Sequence, residues 1–399
     1  MPSGTLPAMK LALVHELLTM RGGAERVLKI LAAMFPDAPI YTLLYDERNL
    51  GDWFPRHRVR VSGLQRWAAR CPLPAARFNH HCYLPFFPRA VEAWDFSEFD
   101  TVLSTSSAFV HGIITNGAPR HVSYIHSPAR YLWDRTHDVL DRAGRGVFGP
   151  IRRPLASMLF HRLRIWDSEV AERPDALLAA SRTVQRRIEL YWRRPSTVVY
   201  PPLDDLWMTV GADSPTSPRL RGASGQPHFA KASRGKREAR SYLIVSQLVP
   251  YKRIDLAIRA CNRLGHELRI AGTGPALRAL QSIAGPTIRF LGFVPTHDLP
   301  GLYASARATL FPGDEDFGLV PLESMACGTP VIALRAGGAT ETVIEGETGE
   351  FFNEATEDSL ATTIEKFEQK KYSKEACSAR AKTFSRQRFE EGIREALYM

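Results

Sequence analysis

The sequence has few cysteines and lacks long apolar runs. Its 399 residues include five cysteines, an odd number without metal-site spacing, so neither a disulfide framework nor a zinc site is expected. No stretch approaches the ~18 consecutive apolar residues of a membrane-spanning helix. The apolar run near the N-terminus is short, and it predicts a first strand better than a signal peptide. These absences predict a globular chain with reduced thiols in the cytoplasm.

Acidic residues are also in deficit. Lys and Arg number 52 against 42 Asp and Glu, a net charge of +10, and a basic surface attracts phosphates, nucleic acid or an anionic membrane. Much of the excess lies in residues 55–78 and 142–166, where Arg is mixed with Trp and Leu. Such basic amphipathic segments suit a peripheral membrane contact, and a solvated arginine-rich surface explains them equally well. The cytoplasmic membrane surface is therefore a candidate partner, and nucleic acid is not.

Short apolar runs that alternate with helical patterns are abundant. Such runs joined by helices predict parallel sheets with helices on both faces, and the chain is too long for one core. Eleven runs read as strands, six before and five after a Ser-, Pro- and Gly-rich basic segment: 10–15, 40–45, 101–106, 121–126, 176–181, 197–202, 242–247, 267–272, 287–292, 308–313 and 330–334.

The predicted fold class is α/β, with two Rossmann-like domains whose parallel sheets face each other across a cleft. Residues 1–205 form the first domain, and residues 206–241 form a linker or mobile loop. Residues 242–384 form the second domain. A C-terminal helix at 385–399 is expected to pack on the first domain.

One stretch, GDEDFGLVPLESMACGTPV at 313–331, places Glu315 and Glu323 eight residues apart. On one uninterrupted helix the two would lie ~12 Å apart along the axis, too far to share a proton or a metal ion. Gly318 and Pro321 instead predict that a helix begins between the two acids. Pro321 then takes the first helical position and Glu323 the third, and Glu315 lies in the preceding loop.

The start of this helix, at Gly318, Leu319 and Val320, suits an anion. A helix N-terminus donates hydrogen bonds and carries a partial positive charge, so a diphosphate can lie over it with one carboxylate on each side. A nucleotide-sugar has this layout of ribose, diphosphate and hexose. A surface acid followed by an ordinary capping glutamate also fits the spacing.

The segment EDFGLVPLESMACGTPVIALRAGGATETV resembles the E-x7-E signature of family 4 glycosyltransferases, retaining enzymes of the GT-B fold. The resemblance extends over much of the chain, and it is closest to bacterial mannosyltransferases that act on polyprenyl-diphosphate-linked oligosaccharides. It implies transfer of a hexose, with GDP-mannose as the favoured donor, to a glycan or lipid-diphosphate acceptor in cell-surface polysaccharide synthesis. Further segments resemble the family in the family's order: MRGGAERVL at 20–28, SYIHSPARYLWD at 123–134, VVYPPLD at 198–204, SQLVPYKRIDLAI at 246–258 and AGTGP at 271–275.

The resemblance implies that residues 1–205 form an acceptor-binding domain and residues 242–384 a nucleotide-sugar-binding domain, with donor-binding roles for residues of the second domain. Glu323 would hold the ribose hydroxyls, and Glu315 the hydroxyls of the sugar. Lys252 would pair with the diphosphate, and Phe317 with the three following backbone N–H groups would line the donor. Lys252 and Glu315 are accordingly catalytic candidates.

One departure from the family concerns charge at the diphosphate. The family usually has Arg five residues before the lysine that Lys252 matches, and this chain has Gln247 there. Two alternatives stay open: Arg253 supplies the missing charge, or the diphosphate site is weaker. If Arg253 merely caps the following helix, its removal leaves donor binding intact.

The first domain contributes two candidate positions. Gly22 and Gly23 precede a helix, where glycine lets the backbone approach a phosphate; a flexible turn is the plain alternative. Glu25 is expected to cap that helix. A lone histidine at a strand end, such as His126, is more often structural, but the resemblance makes His126 a catalytic candidate that contacts the sugar or orients the acceptor.

No metal or other cofactor is predicted. The run DED at 314–316 contains a D-x-D pattern, which binds metal in another glycosyltransferase fold, but the lysine and the helix terminus can neutralise the diphosphate instead. The segment GTGPAL lacks the complete G-x-G-x-x-G of a nicotinamide site. Two other functions stay open: a nucleotide-sugar epimerase of the same fold, and a non-catalytic nucleotide-sugar-binding protein.

Overall fold

Residues 9–70, 83–117, 119–209 and 241–398 are described by the computed structural model. Contacts within the chain define two units, Met1–Pro201 with Phe389–Met399, and Pro202–Arg388. Most of the predicted linker at 206–241 lies outside the described residues, so the predicted domain boundaries stay predictions.

The first unit is built on a seven-stranded parallel sheet in the order β3-β2-β1-β4-β5-β6-β7. Leu11 and Leu13 point into one core cluster, and Ala12 and Val14 into the other. Both faces are thus covered, which is why the strands are apolar at nearly every position. The strands are β1 Leu11–Leu18, β2 Ile40–Tyr45, β3 Val59–Val61, β4 Thr101–Ser106, β5 Arg120–Ile125, β6 Ala176–Ala179 and β7 Thr197–Val198.

Helices of the first unit connect and cover these strands. The longest is α6, with 22 residues. None of the helices in the described ranges is both long enough and apolar enough to cross a membrane. The helices are α1 Gly23–Met34, α2 Glu47–Leu50, α3 Leu64–Arg70, α4 Phe87–Glu92, α5 Thr136–Ala143, α6 Gly149–Val170 and α7 Arg182–Trp192.

The second unit repeats the design with a six-stranded parallel sheet in the order β10-β9-β8-β11-β12-β13. Its strands are β8 Ser241–Val245, β9 Glu267–Ala271, β10 Ile288–Gly292, β11 Thr309–Phe311, β12 Val331–Leu334 and β13 Gly349–Phe352. Its helices are α8 Asp205–Thr209, α9 Ile254–Leu264, α10 Leu277–Gln281, α11 Leu299–Ala304, α12 Leu319–Ala326, α13 Ala339–Thr342, α14 Glu357–Glu368 and α15 Lys374–Lys382.

The last helix, α16 Arg386–Tyr398, contributes to the core of the first unit. The ring of Phe389 meets the ring of Tyr124 edge-on, with centroids 5.7 Å apart. Arg120 Nη1 donates a hydrogen bond of 3.0 Å to the carbonyl oxygen of Leu397. The C-terminal helix therefore packs against β5 of the first sheet.

The eleven strands predicted from apolar runs are all present, but two further strands were missed. Both β3 and β13 lie at sheet edges, and both are short. Arg60 interrupts β3 with an exposed side chain, and Gly349 with Glu350 opens β13. Strand β3 has one exposed position, and β13, although buried throughout, has only two apolar residues, so each gives a weak apolar signal.

Each sheet has a topological switch point. Strands β1 and β4 are neighbours in the first sheet, and β8 and β11 are neighbours in the second. In each sheet, the chain first adds strands outward on one side of this pair and then adds the later strands outward on the other side. Ligands of open α/β sheets bind at the carboxyl ends of the strands beside such a point, so the residues that follow these four strands are the first to consider.

Candidate active site

The turn that follows β8 is packed directly against the turn that follows β9. Leu248 donates its backbone N–H to the carbonyl oxygen of Thr273 over 2.9 Å. A Cβ at Gly272, whose φ is +139°, would lie 1.8 Å from the carbonyl oxygen of Ser246, and one at Gly274 would lie 2.4 Å from that of Leu248. Only glycine allows this approach, and the approach fixes the path of the chain toward Lys252.

Lys252 and Glu315 form an ion pair between the two loops beside the switch point of the second sheet. Lys252 ends a single 3-10 turn after β8, and its Nζ contacts Oε1 of Glu315 in the loop after β11. Their side chains are only 16% and 20% exposed. The structure thus brings together two predicted site residues that are far apart in the sequence.

The loop that carries Glu315 is held by two glycines that sequence reasoning did not single out. Gly338 donates its N–H to the carbonyl oxygen of Glu315 over 2.8 Å. A Cβ at Gly337 would lie 2.1 Å from that oxygen, and one at Gly338 would lie 2.2 Å from Cα of Phe317. The paired glycines of RAGGATE were the available signal, because adjacent glycines often mark a close backbone approach.

The helix predicted between the two acids is present but begins earlier than predicted. Gly318, with φ +78°, is the N-cap, and α12 starts at Leu319. The prediction that Pro321 takes the first helical position and Glu323 the third is therefore wrong, because they take the third and the fifth. Proline fits there because the first-turn N–H groups have no intrahelical partner in any case.

Three positions at the start of α12 offer backbone N–H groups without an intrahelical acceptor: Gly318, Leu319 and Val320. Helix geometry leaves these donors for water or a ligand. A Cβ at Gly318 would lie 2.7 Å from the ring of Phe311, so the N-cap needs glycine for space as well as for its positive φ.

Glu323 lies on the second turn of α12 and is only 4% exposed. Its Oε2 accepts a hydrogen bond of 3.0 Å from the hydroxyl of Tyr303. The first turn of α12 contains no acidic residue, so the alternative of an ordinary capping glutamate is wrong. Tyr303 is a further site residue that the sequence did not reveal, since it lies on α11.

Arg253 follows Lys252 and is the N-cap of α9, with φ +50°. Its Nε lies 3.4 Å from Oδ1 of Asp255, and its Nη2 donates to the carbonyl oxygen of Ala355 over 3.4 Å. The guanidinium is therefore held within its own unit. Gln247 is exposed.

The glycine turn of the first unit opens α1. Glu25 Oε2 accepts the backbone N–H of Gly22 over 2.9 Å, which confirms that Glu25 caps this helix. A Cβ at Gly22 would lie 2.6 Å from that oxygen. Gly23 is the first helical residue. The carboxylate of Glu25 thus occupies the kind of position that an external anion takes at a helix N-terminus.

Two buried residues at the end of β1 were missed by sequence reasoning. Glu16 accepts hydrogen bonds from the backbone N–H groups of Ala108 and Phe109, which follow β4, and its burial raises the pKa of its carboxyl group despite these donors. His15 Nδ1 lies 2.6 Å from Oγ1 of Thr105. Both side chains therefore bridge β1 and the adjoining β4 segment at the switch point of the first sheet.

His126 directly follows β5, as predicted from the sequence. Its ring lies edge-on to that of His15 with centroids 6.5 Å apart, and His15 Nε2 is 3.9 Å from Glu25 Oε1. The buried Nε2 of His126 has no hydrogen-bond partner among the described residues. Burial, assisted by the nearby His15, lowers the pKa of His126 to about 3, so His126 is neutral at ordinary pH.

The predicted site residues therefore form two groups, one in each unit. Lys252, Glu315 and the start of α12 belong to the second unit, and Gly22, Gly23 and His126 to the first. Within the described ranges, no three acidic, histidine or cysteine side chains cluster as metal ligands. The independence from metal ions predicted at the DED run stays a prediction.

Parallel strands with helices on both faces and tight glycine turns at the strand ends define the doubly wound α/β class of proteins. A family model described as "Glycosyl transferases group 1" matches residues 227–384. The solved structure of Anabaena Alr3699/HepE in complex with UDP aligns with 97% of this chain and 99% of its own at a TM-score of 0.64 and 19% identity. Sucrose-phosphate synthase from Thermosynechococcus elongatus aligns with 95% of this chain and 94% of its own at a TM-score of 0.61 and 17% identity. At such identities the likeness shows the fold alone, and the predicted α/β fold of the GT-B type is confirmed.

Relatives of known activity match over parts of the chain. The GDP-mannose-dependent alpha-(1-6)-phosphatidylinositol monomannoside mannosyltransferase of Mycolicibacterium smegmatis is 36% identical over 138 residues, which is 30% of this chain and 36% of the relative. The D-inositol 3-phosphate glycosyltransferase of Acidothermus cellulolyticus is 33% identical over 208 residues, 46% of this chain and 44% of the relative. These matches thus span less than half of either relative.

Proposed function

We propose that this chain is a retaining, metal-independent glycosyltransferase that moves a hexose from a nucleotide-diphosphate sugar to a glycan or a polyprenyl-diphosphate-linked acceptor. The observation that carries the proposal is the Lys252–Glu315 pair, whose acid lies three residues before the N-cap of α12, where the first N–H groups have no intrahelical acceptor. A cation and a helix N-terminus at one switch point suit a diphosphate, and the adjacent carboxylate suits the hydroxyls of the sugar.

The donor would lie along the second unit with its diphosphate over the start of α12. Glu323, already oriented by Tyr303, would accept hydrogen bonds from the ribose hydroxyls. Glu315 would accept them from the hexose. The ammonium group of Lys252 would contact the diphosphate as well as Glu315. The N–H groups of Gly318, Leu319 and Val320 and the side chain of Phe317 would line the donor.

The reaction breaks the bond between the sugar carbon and the phosphate oxygen and forms a bond from the same carbon to the acceptor oxygen on the same face. Negative charge develops on the leaving diphosphate, where Lys252 and the helix N–H groups stabilise it. The acceptor proton passes to the leaving phosphate. Arg253 assists only if its guanidinium leaves Asp255 and Ala355, so its contribution is the smaller of the two cations.

The first unit would serve the acceptor side. A neutral His126 can donate or accept one hydrogen bond to the sugar or the acceptor, but it cannot supply a positive charge. The glycine turn at Gly22 and Gly23 would approach an anionic group only if Glu25 moves aside. We place the reaction at the cytoplasmic face of the cell membrane in surface polysaccharide synthesis. GDP-mannose is the proposed donor because the Mycolicibacterium smegmatis relative is GDP-mannose-dependent.

A ligand screen tests the proposal. Thermal unfolding is measured with GDP-, UDP- and ADP-sugars, because a ligand at a hundred times its Kd stabilises the folded state by about 2.7 kcal/mol. Release of nucleoside diphosphate is then followed with and without a lipid-linked acceptor, in EDTA and in Mg²⁺. We expect stabilisation by a GDP-sugar, acceptor-dependent turnover and full activity in EDTA.

Different outcomes of this screen separate the alternatives. An epimerase would convert the donor without any acceptor, and a binding protein would be stabilised yet turn over nothing. Loss of activity in EDTA would contradict metal independence. Lack of stabilisation by every nucleotide-sugar would remove the basis of the proposal.

A further inference from the structure

Helix α6 has two apolar faces, and only one of them is covered by the part of the chain that the structure describes. Phe160 and Leu163 are buried in a core cluster of the first unit. On the opposite side, the side chains of Ile151, Leu155 and Met158 are 61%, 56% and 51% exposed. With 47%-exposed Ile165, they span an arc of ~80° at 100° per residue. An amphipathic surface helix normally turns polar residues outward, so this apolar stripe needs a partner.

The surroundings of the stripe are strongly basic, although exposed Asp141 pairs with Arg153 over 3.4 Å. Residues 142–166 include no Asp or Glu. Their exposed arginines are Arg142, Arg145, Arg152, Arg153 and Arg162. Just before the helix, Val147 and Phe148 are 92% and 68% exposed. Exposed apolar side chains within a basic surface are the composition of helices that lie on anionic lipid.

A second exposed apolar site lies over the same core cluster. The rings of Trp67 and Phe86 meet edge-on with centroids 5.5 Å apart, and the side chains are 56% and 45% exposed. Trp67 lies on α3, whose Leu64 and Ala68 are buried in the cluster that also contains Phe160. Exposed Arg66, Arg70 and Arg89 accompany these rings. Tryptophan favours the boundary between water and lipid.

The charge pattern distinguishes three possible partners of this surface: a second copy of the chain, another protein and a lipid bilayer. A second copy of the chain would meet this surface with the same surface in a two-fold dimer, which would bring arginines against arginines at a cost. A protein partner would need a matching acidic rim around an apolar centre. A bilayer with anionic lipids offers negative charge at its surface and apolar depth below it.

We infer that the apolar stripe of α6, its flanking arginines and the Trp67–Phe86 pair form a basic apolar face that docks on an anionic lipid bilayer. Ile151, Leu155 and Met158 enter the boundary between headgroups and acyl chains, and the arginines pair with lipid phosphates. The inference deepens the proposed function, because a lipid-linked acceptor lies in such a surface, but it depends on no residue of the donor site.

Vesicle co-sedimentation of the full chain tests this docking. The vesicles are phosphatidylcholine alone, or phosphatidylcholine and phosphatidylglycerol in equal amounts. We expect binding to the anionic vesicles that weakens with salt, because exposed charges are screened. The double variant Arg152→Glu/Arg153→Glu should lower the partition coefficient by ~25-fold or more, at about fivefold for each arginine lost.

The apolar contribution is tested separately. Ile151→Glu/Leu155→Glu should reduce binding by about tenfold or more, without loss of fold, because both side chains are already exposed. Matched controls in the second unit are Phe293→Glu, at a side chain 77% exposed, and Arg259→Glu on α9. Both should bind vesicles like the unchanged chain.

Three results would overturn the inference: no binding to anionic vesicles, equal binding by the α6 variants and the controls, or a solution dimer that the α6 variants dissociate. Stabilisation by nucleotide-sugars is measured on the same variants and should be unchanged. Vesicle binding without nucleotide binding would count against the proposed function alone, and the reverse would count against the docking face alone.

Discussion

The two units place their candidate residues at equivalent points of similar sheets, yet they use opposite electrostatics. In the second unit, Lys252 and Glu315 are charged, paired and partly exposed. In the first unit, His15, Glu16 and His126 are packed at the end of the sheet, and burial opposes charge on Glu16 and His126. The same fold position thus carries a charged pair in one unit and buried groups that burial keeps neutral in the other.

Burial acts on several histidines of the first unit, not only on His126. His111 and His121 are also buried, and burial lowers the pKa of each to about 3. In the second unit, Glu350 shows the opposite behaviour. Burial opposes its charge, but hydrogen bonds from Lys366, Lys370 and Tyr372 outweigh it and lower the pKa to about 2.

The largest effect is expected for Lys252→Ala. The lysine is the cation closest to the expected leaving group, and removing one such preorganised donor costs about 10²–10³ in rate. We expect kcat/KM for the nucleotide-sugar to fall by that factor, measured by release of nucleoside diphosphate. The matched control is Lys370→Ala, at a lysine of the same unit that pairs with Glu350.

This experiment also tests the comparison between the two units. If Lys252→Ala keeps normal kcat/KM while Arg253→Ala loses it, the charge needed by the diphosphate resides on the neighbouring arginine. The division into a charged and a neutral site would then stand, but the Lys252–Glu315 pair would be structural.

The second prediction concerns acid. A histidine whose pKa is lowered on folding contributes stability that is fully present above its unfolded pKa of about 6.5 and is lost as pH falls toward about 3. Glu350, with a lowered carboxyl pKa, contributes stability present above about pH 4.5 and lost only as pH falls toward about 2. The first unit should therefore open at a higher pH than the second.

Two carboxyl groups of the first unit act in the other direction. Burial raises the pKa of Asp167 to about 7 and raises that of Glu16, so their protonation in the folded state favours folding as pH falls. They offset part of the contribution of the three histidines.

Hydrogen exchange followed by mass spectrometry measures the difference. Between about pH 7 and 4.5, peptides over β5 should lose protection by on the order of 100-fold, the effect of one such histidine. Peptides over β13 should keep theirs after correction for intrinsic rates. Equal losses in both units would mean that burial does not keep the histidines neutral.

More of the residues that the structure brings together were named from the sequence in the second unit than in the first. Glu315 and Gly318 were chosen from the spacing of acids around a predicted helix start, and Lys252 was chosen from the resemblance to family 4 glycosyltransferases. The start of α12 could not be placed, because proline is tolerated throughout the first turn. Tyr303 is brought to Glu323 by tertiary packing, and neighbouring residues gave no sign of it.

In the first unit the missed residues lie inside an apolar strand. His15 and Glu16 belong to LALVHELL, where the apolar pattern predicts β1 correctly but gives no role to its polar members. Their partners, Thr105 and the N–H groups after β4, are about ninety residues away. Pairing of strands across a switch point brings them together, and the order of strands cannot be read from either segment alone.

A smaller effect is expected for His126→Ala. Loss of one neutral hydrogen bond to the sugar or acceptor should lower kcat by about tenfold, with nucleoside diphosphate affinity unchanged, because that ligand belongs to the second unit. His137→Ala, at an exposed histidine of the same unit, is the control.

Since burial lowers the pKa of His126 to about 3, the pH–rate profile should show no inflection from it near neutrality. Normal turnover of His126→Ala would exclude a role in the reaction.

The smallest effect is expected from loss of the hydrogen bond to the buried carboxylate of Glu323 in the second unit. Tyr303→Phe removes the hydroxyl that donates to Glu323 but keeps the ring that packs on Trp207. Loss of one hydrogen bond should weaken nucleoside diphosphate binding by about fivefold, measured by isothermal titration calorimetry. Pyrophosphate lacks the ribose, so its affinity should not change. Equal weakening of both ligands would place Glu323 at the diphosphate instead of the ribose. Both acids of the second unit would then lie close to the anion. That arrangement is unfavourable, because carboxylates repel a diphosphate and Lys252 is already paired with Glu315.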